Sequence, residues 1–576
     1  MGAVHQDTTL APRLALLVCS VAVCCVDSNT KVPSSSTPID SGEGEGEGEG
    51  EGAVDSADSG VEIDGHTVPA ELEQGGPVAC ADPSLRETEG PFEHLDHALD
   101  AAGAPEAPDE PIQAGITAAD FNADGHLDLL LAQHDGMDLF VGDGTGGLTH
   151  APDALPEPRP GWSNHAATVA ADFDVDGDID VVLVNRAAPD ELWWNDGSAG
   201  FTRDDTAPFA SETRASVGAS LDDVDGDGDL DLFIAGHYAG TPRGPADDSA
   251  LYLWTGSAFQ LAADVLPEDT HAGYTFNGTW VDTDLDGDRD LYMVNDHGNV
   301  AIPNRLLVND SAEGGVGLQS DAEPGLDATM LGMGVAVADL NDDARPDFLV
   351  TNFGQLRLFE SLDDGSWFES SLSRGLIQDF STQVVGWSTI VEDFDHDADL
   401  DVWVTFGSLP STSPEFANPF AQPDGLWVQE DGRFTQDAAA WGLDDDSIGR
   451  GGIAIDLNED GWLDIVTAPL ITLPRVHLSR CGEGAWLMVE LVQPGENPAA
   501  IGAQVEVQAE GRSHRRWVVA GGTQIFGSPP PVAHVGLAEA TEVTAITVTW
   551  PDGLTSTVGP LAPNQLVRVV RQTVEE

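Results

Sequence analysis

Short runs of small and apolar residues recur along most of the chain, each bounded by Gly, Asn or Asp. Runs such as ATVAAD (Ala167 to Asp172) and GVAVAD (Gly334 to Asp339) are followed, across an acidic gap, by DVVLVN (Asp180 to Asn185) and DFLVTN (Asp347 to Asn352). A third run follows, as in ELWWNDG (Glu191 to Gly197) or LRLFES (Leu356 to Ser361), and then a fourth around GSAGFTRD (Gly197 to Asp204). Their shortness, β-branched content and turn-forming borders predict strands. Four strands per unit, repeated every ~50 to 60 residues, predict an all-β chain built as a seven-bladed β-propeller.

The polar positions between the first and second runs follow a stricter rule. Seven times, at intervals of 51 to 63 residues, the gap reads Asp-x-(Asp/Asn)-x-Asp-(Gly/Ala)-x-x-Asp. Positions 1, 3, 5 and 9 carry side-chain oxygens. They are Asp120, Asn122, Asp124 and Asp128; Asp172, Asp174, Asp176 and Asp180; Asp223, Asp225, Asp227 and Asp231; and Asp282, Asp284, Asp286 and Asp290. The remaining sets are Asp339, Asn341, Asp343 and Asp347; Asp393, Asp395, Asp397 and Asp401; and Asp456, Asn458, Asp460 and Asp464. In a tight loop the side chains at 1, 3 and 5 converge, the carbonyl at 7 can join them, and the Asp at 9 closes the far side, a donor set suited to calcium. One such copy reads as a solvated acidic turn; seven in register read as metal loops. An EF-hand is excluded, because its loop needs a bidentate Glu at position 12. Here that position holds Leu131, Leu183, Ile234, Met293, Val350, Val404 and Thr467. Glycine at position 6 permits a positive φ. Ala344 and Ala398 stand there in the fifth and sixth copies, at a cost on the order of 1 kcal/mol, so these two sites are expected to bind more weakly.

The segments GMGVAVADLNDDARPDFLVTN, GWSTIVEDFDHDADLDVWVTFG and GRGGIAIDLNEDGWLDIV resemble the calcium-binding FG-GAP repeats of integrin α-chain propellers and their bacterial relatives, and in particular the repeats of the cartilage acidic protein family. After about residue 483 the acidic repeat stops, and alternating strands with Gly and Pro turns predict a small β domain. Its text resembles the ASPIC/UnbV domain that commonly follows such propellers, through Ile501-Gly502-Ala503, His534-Val535-Gly536-Leu537 and Trp550-Pro551-Asp552-Gly553. The resemblance implies a calcium-binding extracellular propeller over residues 76–482 and the second domain over 483–576.

The seventh unit has only three strands before that domain begins, and FEHLDHALDAAGAP (Phe92 to Pro105) is the candidate for its fourth, which would latch the ring shut. Beyond three leader cysteines the chain has only Cys80 and Cys481, one just before this strand and one just after the seventh unit's third. A Cys80 to Cys481 disulfide is expected, with two unrelated thiols as the alternative. At the N-terminus, Leu14 to Val26 is apolar behind Arg13, and residues 1–29 read as a signal peptide. Cys24 or Cys25 is a candidate for a lipid anchor, although Val23 and Cys24 precede them where a small residue is usual. Residues 30–75, with their EGEGEGEGEG run, read as a disordered tether. No other apolar run reaches ~20 residues, so no transmembrane span is expected.

Charge narrows the partners. The formal net charge is −79 and Lys31 is the only lysine, which excludes nucleic acid as a partner. Seven divalent ions would bring +14 and leave about −65, so most of the acidity is solvated surface. At ~1 mM calcium and a dissociation constant of ~0.1 mM each site contributes about 1.4 kcal/mol, and seven give roughly 10 kcal/mol, a reason to expect robust folding only outside the cell.

In a four-stranded meander the acidic loops fall on one face and the loops joining strands two and three on the other. The long insertions are of the second kind, and Tyr238, Arg243, His297, Phe416 and Phe420 on or beside them are the candidate ligand residues. Three functions compete: a calcium-dependent recognition head for an extracellular protein or glycan, a polysaccharide-active enzyme, and a structural surface protein. No Gly-x-Ser-x-Gly and no His-Glu-x-x-His is present. His165, His237 and His297 could serve as bases, but scattered histidines on such a scaffold are more often structural. Asn277-Gly-Thr and Asn309-Asp-Ser fit the glycosylation pattern.

Overall fold

Each acidic nonapeptide joins the first strand of a four-stranded antiparallel sheet to the second, and its last Asp is the first residue of that second strand. The computed structural model describes residues 67–573 apart from short internal stretches, the longest being 103–113, 239–246 and 409–420. The expected signal peptide, its cysteines and residues 30–66 of the expected tether lie outside the described residues.

Seven such sheets follow one another along the chain. Their first strands, Gly115–Ala119, His165–Ala171, Ser216–Asp222, Tyr274–Val281, Gly332–Ala338, Gly386–Glu392 and Gly451–Ile455, adjoin in sequence, and the last returns to the first, closing a β-propeller. These strands are rich in Gly, Ala, Ser and Thr because backbones crowd at the axis. A Cβ on Gly334, for example, would lie 2.3 Å from the Trp387 carbonyl of the next sheet. The second strands are buried on both faces: every residue of Asp180–Asn185 and Asp347–Asn352 is buried, which is why these segments read as unbroken apolar runs. The ring is latched as expected. Phe92–Leu95 pairs antiparallel with Arg475–Ser479 as the outer strand of sheet seven, and Cys80 is bridged to Cys481 with a Cα–Cα distance of 5.5 Å.

Two features depart from the expected domain boundaries. Residues 70–74 are not tether: Ala70–Gln74 pairs with Gln565–Arg571 at the edge of the C-terminal domain. That domain packs two four-stranded sheets face to face. Its core includes Leu487, Val489, Val507, Val535, Ile546, Trp550 and Val567, the inward members of alternating strands. It also sends a segment into the propeller axis. Ala520–Gly521 pairs with Ser216–Asp222 of sheet three, and Gly527–Ser528 pairs in parallel with Gly115–Ala119 of sheet one. Between them Gln524 donates to the Val335 carbonyl of sheet five (3.0 Å), and Phe526 stacks on Trp387 at 6.2 Å. Gly521 and Gly522 have φ of 66° and 72°, and a Cβ on either would strike a carbonyl of sheet three or four. Only glycine passes there.

Candidate metal centres

All seven loops share one hydrogen-bond scheme. The position 1 carboxylate accepts from the position 6 N–H at 2.8 to 3.1 Å. The position 5 carboxylate accepts from the position 7 N–H. The position 9 Asp is fully buried, and it staples the loop to the sheet by accepting from the position 2 N–H and from an N–H at the end of the third strand. For Asp180 these donors are Phe173 (3.2 Å) and Asn195 (2.9 Å).

Two residues per loop are left-handed. Position 6 has φ between 76° and 103°, and Ala344 and Ala398 are held at 76° like the glycines they replace. Position 4 is left-handed too, at 56° to 73°, in Ala123, Val175, Gly226, Leu285, Asp342, His396 and Glu459. Only one of these is glycine, so the sequence does not advertise the requirement.

In copies two, three, four and six the carboxylates at positions 1, 3 and 9 lie within 4.8 Å of one another. Copies one, five and seven carry Asn at position 3; in each its Oδ1 accepts from the position 5 N–H. Burial is the main force on these acids. It pushes Asp128 up to about 6, Asp180 to about 8, Asp231 to about 9, Asp290 to about 7 and Asp347 to about 8, and it holds Asp401 and Asp464 well above the ordinary range. Crowded, desolvated carboxylates need positive charge. In copies two, three, four and six the donor set fits a hard divalent cation, with oxygen ligands from alternate residues of a tight turn.

Comparison with known proteins bears on the first three loops and on the C-terminal domain. A model of the FG-GAP-like repeat matches residues 120–183 and 172–234, and one of ASPIC and UnbV matches residues 493–576. The chain carries FG-GAP-like repeats and an ASPIC/UnbV domain. It is similar to cartilage acidic protein 1 of Mus musculus, 25% identical over 493 residues, covering 76% of this chain and 70% of the relative. The human protein of that name is 24% identical over 493 residues, 76% of this chain and 69% of the relative. Among solved structures, the chain is similar to an Agrocybe aegerita lectin for terminal N-acetylglucosamine: TM-score 0.39, 16% identity, 58% of this chain and 83% of that one. For virginiamycin B lyase from Staphylococcus aureus the values are 0.38, 12%, 67% and 98%.

The ASPIC/UnbV domain sits against several of the acidic loops. Arg512 reaches Asp342 (2.9 Å) of the fifth and Asp399 (2.8 Å) of the sixth. The Ala538 N–H donates to the His396 carbonyl (3.0 Å), and His534 Nε2 lies 3.0 Å from the Gly461 carbonyl of the seventh. Arg86, just upstream of the latch strand, lies over the Trp462 ring at 4.3 Å and donates to the Phe394 carbonyl at 2.8 Å. Sequence reasoning missed these arginines, although RSHRRW is a concentrated basic segment in a chain with 22 Lys and Arg.

The expected ligand residues fare differently. Tyr238 is buried, ringed by His237, Tyr274 and Arg186, so it presents no free aromatic face. His297 is part-buried and lies 3.3 Å from Asp296. Arg243, Phe416 and Phe420 lie outside the described residues. His165 shares a 2.7 Å hydrogen bond with Asn185. His237 is fully buried, and burial pushes its ring pKa well below the usual value. Asn277 and Asn309 are buried, and Asn309 Nδ2 donates to the Val224 carbonyl (3.0 Å), so neither is a glycosylation site in the folded chain.

Proposed function

We propose that this protein is a secreted or surface-held, calcium-loaded recognition head that binds an extracellular protein or glycan without catalysing a reaction. The observation that carries the reading is the convergence of three carboxylates within 4.8 Å in loops of a closed propeller, where the loops' side chains are already ordered by backbone hydrogen bonds. Asp172, Asp174, Asp176 and Asp180 and their counterparts in copies three, four and six would hold the ion, as would copies one and seven with Asn122 and Asn458 offering a neutral oxygen at position 3; the ion would supply charge compensation and rigidity. Support for an extracellular setting comes from the disulfide between Cys80 and Cys481, a bond that persists in oxidising compartments, and from the likeness to cartilage acidic protein 1. Among the described residues no helix is long and apolar enough to cross a membrane.

Contacts of the ASPIC/UnbV domain with the fifth, sixth and seventh loops support placing recognition on the opposite face, where the second strands end and the third strands begin. The buried, neutral His237 and the engaged His165 favour structural roles over general-base roles. The test is binding of the labelled, purified protein to a glycan panel and to cells in millimolar calcium and then in chelator, with unfolding followed in parallel. Binding that vanishes in chelator while the fold persists supports a metal-dependent site. A calcium-stabilised fold that binds nothing argues against recognition and for a structural role.

A further inference from the structure

In six of the seven loops no ligand side chain forms an ion pair with arginine among the described residues; the fifth differs. Arg345, at position 7 where copies two, three, four and six carry Asp, turns back so that Nη2 lies 2.7 Å from Asp343 Oδ2, while Nη1 holds Asp363 at 2.6 Å. From the C-terminal domain, Arg515 Nη1 approaches Asp339 Oδ2 at 3.8 Å and is steadied by Glu506 at 2.8 Å. Arg512 adds the bridge to Asp342 and Asp399. The loop also has Asn341 in place of a carboxylate and Ala344 in place of glycine.

We infer that the fifth loop is a guanidinium site: Arg345 and Arg515 occupy the place an ion takes in its sister loops, and the loop serves as a metal-independent lock between propeller and C-terminal domain. The inference rests on the calcium reading of the other loops. The physical argument is charge. Two guanidinium groups pair with ligand carboxylates of the fifth loop, which has three; copies one and seven also have three, but among the described residues no ligand carboxylate of theirs, or of the four-carboxylate copies, lies in an arginine ion pair. A divalent ion entering the fifth loop would have to detach Arg345 from Asp343 and then sit a few ångströms from two like charges. Arg345 satisfies Asp343 through planar N–H donors, and Arg515 brings its charge beside Asp339, without that repulsion. The consequence is six ions per chain, with one inter-domain tie that low calcium does not loosen.

Native mass spectrometry of the full chain across a calcium titration tests the count. Six ions are expected. Asp343→Asn should leave six, Asp176→Asn should leave five, and Arg345→Ala combined with Arg515→Ala should admit a seventh. Seven ions in the unaltered chain, with Asp343→Asn removing one, would overturn the inference. Thermal melts test the lock separately: Arg515→Ala, which removes the guanidinium that crosses from the C-terminal domain, should lower Tm by about 2 °C or more, equally in calcium and in chelator. A loss that calcium erases would mean an ion replaces the guanidinium, and would also overturn it. A count of zero sinks the calcium reading, and the chelator melts then decide the lock alone, an unchanged Tm for Arg515→Ala overturning it.

Discussion

A single aspartate in each repeat does two jobs. The position 9 side chain is one of the expected ion ligands, yet both of its oxygens are already engaged by backbone N–H groups, so it is a structural staple as well. Asp180→Ala would leave the buried N–H groups of Phe173 and Asn195 without an acceptor and should cost about 2 to 5 kcal/mol even in chelator, measured by denaturant unfolding. The strained alanines make the opposite case. Ala398 sits at φ 76°, so Ala398→Gly should be neutral or stabilising by up to about 1 kcal/mol and should tighten the sixth site, with a site-resolved calcium titration as the check. The acidic repeat made the position 6 requirement legible in the sequence. The position 4 requirement was not, because side chains as ordinary as Val175 and Leu285 fill it, and the sheet, not the residue, imposes that conformation.

At the scale of elements, the latch and the axial segment decide whether the ring stays closed. Phe92–Leu95 comes from the far end of the chain relative to its partner strand, and the Cys80–Cys481 bridge fixes that junction. Reducing the disulfide, or Cys481→Ser, should lower stability by about 3 to 5 kcal/mol, read as a Tm difference between oxidised and reduced protein. In the axial segment, Phe526 is buried against Trp387. Phe526→Ala should destabilise by about 3 kcal/mol and, if the segment ties the domains together, should increase protease cleavage between 483 and 520. The latch was visible beforehand because the seventh unit lacked a strand and another segment had the right text. The axial segment was not. AGGTQIFGSPPP reads as a turn-rich connection, and nothing local says that its backbone will pair with the inner edges of sheets one and three.

For the whole molecule the governing quantity is negative charge held in a small volume. In the absence of an ion burial raises the position 9 carboxyls above their unfolded value near 3.9, to about 6 to 9 for Asp128, Asp180, Asp231, Asp290 and Asp347 and well above the ordinary range for Asp401 and Asp464. The folded chain therefore holds more protons than the unfolded one across that interval. Its stability in chelator should be greatest near pH 4 and should fall as pH rises toward 9. If the proposed calcium binds, the sign should reverse, because an ion would bind the deprotonated loops, and acidification should release it. Melts across pH with and without calcium, giving curves that diverge as pH rises, check both statements. At neutral pH six occupied sites would add about 8 kcal/mol under the affinities assumed above.

What the sequence determined by itself is whatever repeats. Seven acidic loops, the four-strand unit around each and the donors at positions 1, 3, 5 and 9 follow from local periodicity, and their redundancy outweighs the ambiguity of any one copy. What only the tertiary structure decided lies between distant segments. Ala70–Gln74 pairs with the last strand of the C-terminal domain, Gly521–Gly527 fills the axis, Tyr238 is buried rather than offered to a ligand, and Arg345 and Arg515 converge on the fifth loop. Those outcomes depend on which charges and edges meet after the ring closes, and a linear pattern carries no record of that.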